Sequence, residues 1–304
     1  MTEEHNRQER EYNPKFWSRR DEPKEALTNH AFLIHEITVK VNEKVPHRSK
    51  VKYGDSERCV MDIYSEDLPG TSPIFVFIHG GGWVIGNNDL YGYIAEPLRD
   101  SGIVMITIEY DLAPFVTLPK MVDEIKQSLT FIVNLAWKRG SKGIYLSGHS
   151  AGAHLAAMAI SSDWMDNPLN KRYLRAVVLI SGIYDLSPII KMSFGDIANF
   201  TQETAEISPI KFINEISKRM RPDFKILVVV AEFDPPKYIE QAKTYHKALT
   251  NAGVSSQFLL VENEDHYTIV EKLYDKKNIL TSACMKLCNE LYNDYTLLIY
   301  PSKL

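Results

Sequence analysis

The chain has 304 residues, 44% hydrophobic and 24% charged, enough apolar material for a large core and a length that fits one large α/β domain. Lys plus Arg number 35 against 39 Asp plus Glu, giving a net charge of -4, and no basic block is present that could neutralise a run of phosphates, so nucleic acid is not an expected partner. The longest apolar runs, such as Ile103 to Ile108 and Ala176 to Ile180, fall far short of the roughly 18 residues of a membrane span, which excludes a membrane role.

Residues 1–30 are charged throughout and lack the apolar core of a secretory signal, so they read as an N-terminal leader on a cytoplasmic protein. The three cysteines, Cys59, Cys284 and Cys288, have no metal-ligand spacing and read as buried free thiols. After the leader, Glu36 to Asn42 alternates Ile37, Val39 and Val41 with polar residues, and Arg58 to Tyr64 is a second short β-type run; both are expected as antiparallel edge strands. Pro73 to Ile78 and Ile103 to Ile108 are continuous apolar runs, as in parallel strands covered on both faces. Pro119 to Arg139 carries Met121, Val122, Ile125, Leu129, Ile132, Val133 and Trp137 at helical spacing, with Gly140 just beyond. The alternation then runs through strand Gly143 to Leu146, a helix from Ala151, strands Ala176 to Ile180 and Lys225 to Val230, helix Pro236 to Leu249, strand Gln257 to Val261 and a helical C-terminus from about Tyr267. This order predicts a mostly parallel sheet flanked by helices over residues 31–304, with a cap-like insertion at about 186–221, and with the serine turn Gly148-His149-Ser150-Ala151-Gly152 between one of its strands and the next helix it is expected as an α/β-hydrolase fold.

Gly148-His149-Ser150-Ala151-Gly152 follows the strand Ile144-Tyr145-Leu146 and opens a helix, which is the GxSxG pattern in a strand, turn, helix context. Ser150 is therefore the candidate nucleophile, with Gly148 and Gly152 permitting the sharp turn. A hydroxyl needs a base, and the base an orienting carboxylate, which follow in the order acid then histidine. Asp234 ends one late strand and His266 follows another, so these complete the expected triad; Asp185 and Asp265 are the other candidate acids. His79-Gly80-Gly81-Gly82-Trp83 follows the strand ending at Ile78, and its glycine amides, with that of Ala151, are the expected oxyanion hole: Gly81, Gly82 and Ala151. A glycine turn that only bends the chain is the plain alternative for each motif.

HGGGW, GHSAG and the stretches YNPKFW, EYDLAP, LPKMVDEI, SGIYDLSPI, VVVAEFDPPKYIEQAKTYHKAL and DHYTIVEKL together resemble the animal kynurenine formamidases over nearly the full length. Pro235 after the acid and the charged leader depart from that pattern. The resemblance implies hydrolysis of N-formyl-L-kynurenine to L-kynurenine and formate without metal or organic cofactor, and a homodimer. A formyl group needs almost no acyl pocket, so selectivity is expected from an aromatic slot; Trp83 is a candidate for its wall, with core packing beside the glycine turn as the alternative, and Tyr184 and the segment Met192 to Thr204 are candidates for the cap side. A general carboxylesterase on small acyl esters would use the same triad, whereas a non-catalytic binding module would be expected to lose the serine or histidine.

Overall fold

The computed structural model describes residues 3–290 and centres on one eight-stranded sheet: β1 (His47–Lys52), β2 (Val60–Tyr64), β3 (Ile74–Ile78), β4 (Val104–Ile108), β5 (Ile144–His149), β6 (Leu174–Ile180), β7 (Lys225–Phe233) and β8 (Ser256–Asp265). The strand order is β1-β2-β4-β3-β5-β6-β7-β8, with β1, β2 and β4 antiparallel to one another in sequence of contact and every pair from β4 onward parallel. The apolar runs behave as two-faced strands must: Ile74, Val76 and Ile78 of β3 enter one core layer, and Phe75 and Phe77 enter the other. The chain moves from β3 to β4 on one side and then crosses back to β5 on the other, so β3 and β5 flank a switch point whose crevice opens at the strands' carboxyl ends.

Helix Leu118–Arg139 turns Met121, Ile125, Leu129, Ile132 and Ala136 inward and ends where Gly140 adopts a left-handed φ of 71°. Trp137, assigned to its apolar stripe from spacing, is instead 57% exposed. The expected edge strand at Glu36 to Asn42 is also corrected, because this stretch is the end of helix Ala26–Asn42. The apparent alternation of Ile37, Val39 and Val41 is overridden by a helical face of Ala26, His30, Ile34, Thr38 and Val41, which is buried, while Val39 is exposed. The antiparallel edge is made by β1, a more polar segment that the hydrophobic pattern did not reveal.

The N-terminal segment is tied to the far end of the chain. The Arg19 amide donates to Asp265 Oδ2 at 2.8 Å, and the Arg20 guanidinium forks onto Glu271 at 2.6 and 3.0 Å. His30 Nδ1 lies 2.9 Å from the same Glu271 carboxylate. Burial alone would raise the Glu271 pKa, but the His30 hydrogen bond and the Arg20 pairing bring it below the ordinary carboxylate range. Residues 186–221, between β6 and β7, contain only short helical turns, Ser193–Ile197 and Ile213–Arg219 the longest. The helical C-terminus continues as Thr268–Glu271 and Ile279–Glu290; residues 291–304 lie outside the described residues. No described helix is long and apolar enough to cross a membrane.

Candidate active site

The turn from β5 into helix Ala151–Ser161 holds Ser150 at φ 54° and ψ -118°, a conformation rarely adopted by a residue with a side chain. The neighbouring glycines are required by contact. A Cβ on Gly148 would stand 2.3 Å from the Gly152 carbonyl oxygen, and one on Gly152 would stand 2.2 Å from the Ile78 carbonyl oxygen. The Ser150 amide donates to Ile180 O at 2.9 Å, pinning the strained residue to the end of β6.

Parallel strands bring the remaining groups to the same edge. Phe233 of β7 pairs in register with Asp265 of β8, so the residues that follow, Asp234 and His266, emerge side by side. His266 Nδ1 lies 2.6 Å from Asp234 Oδ1. The second carboxylate oxygen, Oδ2, accepts from Ser181 Oγ at 2.6 Å and from the Ala231 amide at 2.7 Å. With both oxygens occupied, the carboxylate plane is fixed and the imidazole must carry its proton on Nδ1, leaving Nε2 as the basic nitrogen. Of the three candidate acids, only Asp234 touches His266. Asp185 Oδ1 instead accepts from the Ser187 amide, and Asp265 accepts from the amides of Arg19, Tyr267 and Thr268, which shapes the loop carrying the histidine.

His149 supports the histidine loop from below. Its Nε2 donates to the His266 carbonyl at 3.0 Å, and the two rings are 4.6 Å apart. Burial, reinforced by the nearby His266 and His30, pushes the His149 pKa well below the ordinary histidine value, so the ring stays neutral.

The HGGGW loop begins at the end of β3. Gly81 and Gly82 have φ of 116° and 59°, and the Gly81 carbonyl accepts from the amides of Val84 and Ile85, each at 3.1 Å. A Cβ on Gly81 would stand 2.0 Å from the Ile85 carbonyl oxygen, so only glycine closes this turn. On the other side, the Ala151 amide opens its helix ahead of the first helical bonds, which run from the Ala153 and His154 amides to Ser150 O at 3.0 and 3.2 Å.

Behind the loop, His79 is stacked on Tyr110 with ring centroids 4.5 Å apart, its Nδ1 facing Gly80 O at 2.7 Å and its Nε2 facing Glu109 Oε1 at 3.1 Å. Glu109 also receives Arg58 at 2.6 Å and the Asn88 and Tyr110 amides at 3.0 and 2.9 Å. Burial opposes its ionisation, yet the bonds and charges of His79 and Arg58 hold its pKa below the usual range. The glycine loop thus rests on a buried, fully partnered carboxylate.

Trp83 and Tyr184 sit inside the core, 0% and 1% exposed. The Trp83 indole N–H points to His154 Nδ1 at 3.4 Å, and its ring meets Phe200 edge-on at 5.3 Å, linking the glycine loop to the 186–221 segment. Tyr184 stacks flat on Tyr245, centroids 4.2 Å apart.

Two residues were not singled out from sequence. Ser181, at the end of β6, clamps Asp234, and Tyr238, in the first turn of helix Pro236–Asn251, sets its ring edge-on to His266 at 5.0 Å. Ser181 follows an apolar strand whose carboxyl end faces the site, a position that could have flagged it; Tyr238 falls on the helix's buried stripe and reads as core. Among the described residues no hydrogen bond joins Ser150 to His266, an arrangement common before substrate tightens the site.

The fold and this constellation at its strand ends define a class, and residues 75–270 match the family model of the alpha/beta hydrolase fold, to which the chain belongs. Solved structures agree on architecture: a thermostable esterase from Pseudomonas putida superposes with TM-score 0.65 at 20% identity, covering 89% of each chain, and an esterase from Mycobacterium marinum with TM-score 0.67 at 18%, covering 88% of this chain and 89% of that one. Within the class, the chain is 32% identical to the kynurenine formamidase of Danio rerio over 92% of its own length and 94% of the relative's. The Drosophila melanogaster kynurenine formamidase is 28% identical over 87% and 91%. The chain is a member of the kynurenine formamidase family.

Proposed function

We propose that this protein hydrolyses N-formyl-L-kynurenine to L-kynurenine and formate through Ser150, His266 and Asp234. The observation that carries the reading is the Asp234–His266 pair of 2.6 Å at the mouth of a strained serine turn, in a chain similar over its length to kynurenine formamidases. His266 Nε2 takes the Ser150 proton as Oγ attacks the formyl carbon, and the resulting imidazolium is stabilised by Asp234. The negative charge that develops on the formyl oxygen is received by the amides of Gly81, Gly82 and Ala151; one such donor is worth about 3 to 4 kcal/mol in related chemistry. His266 then gives its proton to the leaving aryl nitrogen, the C–N bond breaks, and water activated by the same base releases formate from Ser150. The residues present require no metal or organic cofactor for these steps. Trp83 and Tyr184, buried in the core, would act on the substrate's aromatic end only through the packing of the residues in front of them. A homodimer and a cytoplasmic location belong to the same reading.

The test compares kynurenine release from N-formyl-L-kynurenine with hydrolysis of p-nitrophenyl acetate, for wild type and Ser150→Ala. Preference for the formamide, lost in Ser150→Ala, supports the reading. Good ester turnover with little formamide turnover would leave the triad and replace the substrate, and unchanged activity in Ser150→Ala would overturn the mechanism.

A further inference from the structure

The loop that carries His266 is gripped by two adjacent residues from the start of the chain, outside the residues 75–270 that match the alpha/beta hydrolase family. Ahead of the histidine, the Arg19 amide donates to Asp265 Oδ2 at 2.8 Å, and the Asp265 amide donates to Thr268 Oγ1 at 2.8 Å, closing the turn. Behind it, Glu271 ends the helix Thr268–Glu271 and is 3% exposed. Arg20 places Nη1 2.6 Å from Glu271 Oε2 and Nη2 3.0 Å from Oε1, while its Nε donates to Asp21 Oδ2 at 2.9 Å. The guanidinium is thus steadied by one carboxylate and forks onto another. The Tyr93 hydroxyl donates to Val270 O at 2.7 Å, and His30 completes the cradle, its ring 5.3 Å from that of Tyr267.

Resting on the assignment of His266 as general base, we infer that Arg20 is a positioning residue which, through Glu271, fixes the imidazole at the depth where Nε2 meets Ser150 Oγ. β8 ends at Asp265, so the sheet no longer dictates where the next residues lie. The helix that follows is a single turn, too short to hold its own place in water, and its position is set by what its side chains grip. Without Arg20 the buried Glu271 carboxylate keeps only His30 as an ionic partner among the described residues, and burial disfavours its charged form. The side chain relieves this by turning toward solvent, and the short helix and the loop ahead of it move with it. Asp234 still holds the Nδ1 side of the ring, so the displacement falls on the separation between Nε2 and Ser150 Oγ. A misplacement of about 1 Å can cost a reaction about 100-fold. The bidentate fork sets direction as well as distance, which the single ammonium of a lysine does not reproduce.

The experiment measures kcat and KM for N-formyl-L-kynurenine and p-nitrophenyl acetate in full-length wild type, Arg20→Ala, Arg20→Lys and His266→Ala. Each rate is divided by the Ser150 sites counted by end-point fluorophosphonate labelling, and each assay is run well below the variant's melting temperature. Arg20→Ala is expected to lower kcat per labelled site roughly 10- to 100-fold on both substrates, because both need the base, with KM within about twofold of wild type. Arg20→Lys, which keeps the charge and loses the fork, recovers part of that loss. Fewer labelled sites at an unchanged kcat per site would make Arg20 a purely structural residue and overturn the inference, as would a loss confined to KM. Should Arg20→Ala not fold, Glu271→Gln is held to the same criteria. A fully active His266→Ala would fail earlier, at the base assignment, and take this inference with it. A wild type that cleaves only the ester would change the substrate, and p-nitrophenyl acetate would then decide the role of Arg20.

Discussion

Ser181→Ala isolates the support of the acid. The Ser181 hydroxyl is one of two donors to Asp234 Oδ2, at 2.6 Å, the Ala231 amide at 2.7 Å being the other, while Oδ1 faces His266. Removing it leaves a buried carboxylate with one fewer partner, and a hydrogen bond to a charged group contributes about 1.5 to 3 kcal/mol. Because the amide donor remains and the carboxylate cannot leave its histidine, the lower figure applies. Serine already holds a left-handed φ of 48° here, which alanine tolerates no better and no worse, so backbone strain nearly cancels. If about 1.5 kcal/mol is expressed in the orientation of His266, kcat on N-formyl-L-kynurenine falls roughly tenfold with KM unchanged. The assay is the initial rate of kynurenine release by absorbance, paired with urea unfolding to show how much of the loss appears as stability instead. A folded variant whose kcat stays within about twofold of wild type and whose stability is also unchanged would refute the claim that this bond aligns the acid.

Asp234→Asn should cost far more, on the order of 10⁴ in kcat, since an amide can present its N–H to Nδ1 and reverse the imidazole tautomer; retention of substantial activity would remove Asp234 from the mechanism. Gly81→Ala, whose Cβ would fall 2.0 Å from the Ile85 carbonyl oxygen, should displace the oxyanion loop and lower kcat by about 100-fold or more, while p-nitrophenyl acetate and formamide turnover fall together. His154 is fully buried, with Nε2 donating to Ile207 O at 2.8 Å, and burial holds its pKa down to about 4. The unfolded chain therefore takes up the proton first as pH falls, so this residue's contribution is present above pH 6.5 and declines toward pH 4, by about 3 kcal/mol in all. Urea unfolding at pH 7, 5.5 and 4.5 should show a shallower pH dependence for His154→Gln than for wild type, and equal slopes would contradict this. Tyr245→Phe removes a buried hydroxyl that has no hydrogen-bond partner among the described residues beneath the stacked Tyr184 ring; stability should stay within about 0.5 kcal/mol or rise, and a loss above about 1.5 kcal/mol would mean the hydroxyl is satisfied after all.

The sheet core was legible because β3, β4, β5 and β6 are buried on both faces, which forces continuous apolar runs, and the serine turn was legible because its backbone admits only glycine at two neighbouring positions. Asp234 and His266 could be placed because each directly follows a parallel strand. The misreading at Glu36 to Asn42 has a physical source: a short β-branched stretch satisfies both periods, and only the tertiary partners of Ile34 and Val41 decide between them. Tyr238 and Ser181 were hidden for a related reason. The Tyr238 ring contact with His266 and the Ser181 bond to Asp234 join separate segments of the chain, and local pattern carries no record of such a contact.

The ties from the N-terminal segment to the histidine loop bear on when the enzyme becomes active during its synthesis. Arg19 and Arg20 reach partners 246 and 251 residues away, and those partners, Asp265 and Glu271, bracket His266. The serine turn and its oxyanion loop can form as soon as β3 to β6 pair, but the histidine loop acquires its anchors only once β8 has emerged and the beginning of the chain has docked back on it. Contacts of such sequence separation are slow to close, and domains of this size commonly pass through partly assembled states. Nucleophile and base therefore mature at different times, and a refolding protein should bury its core before it regains catalysis.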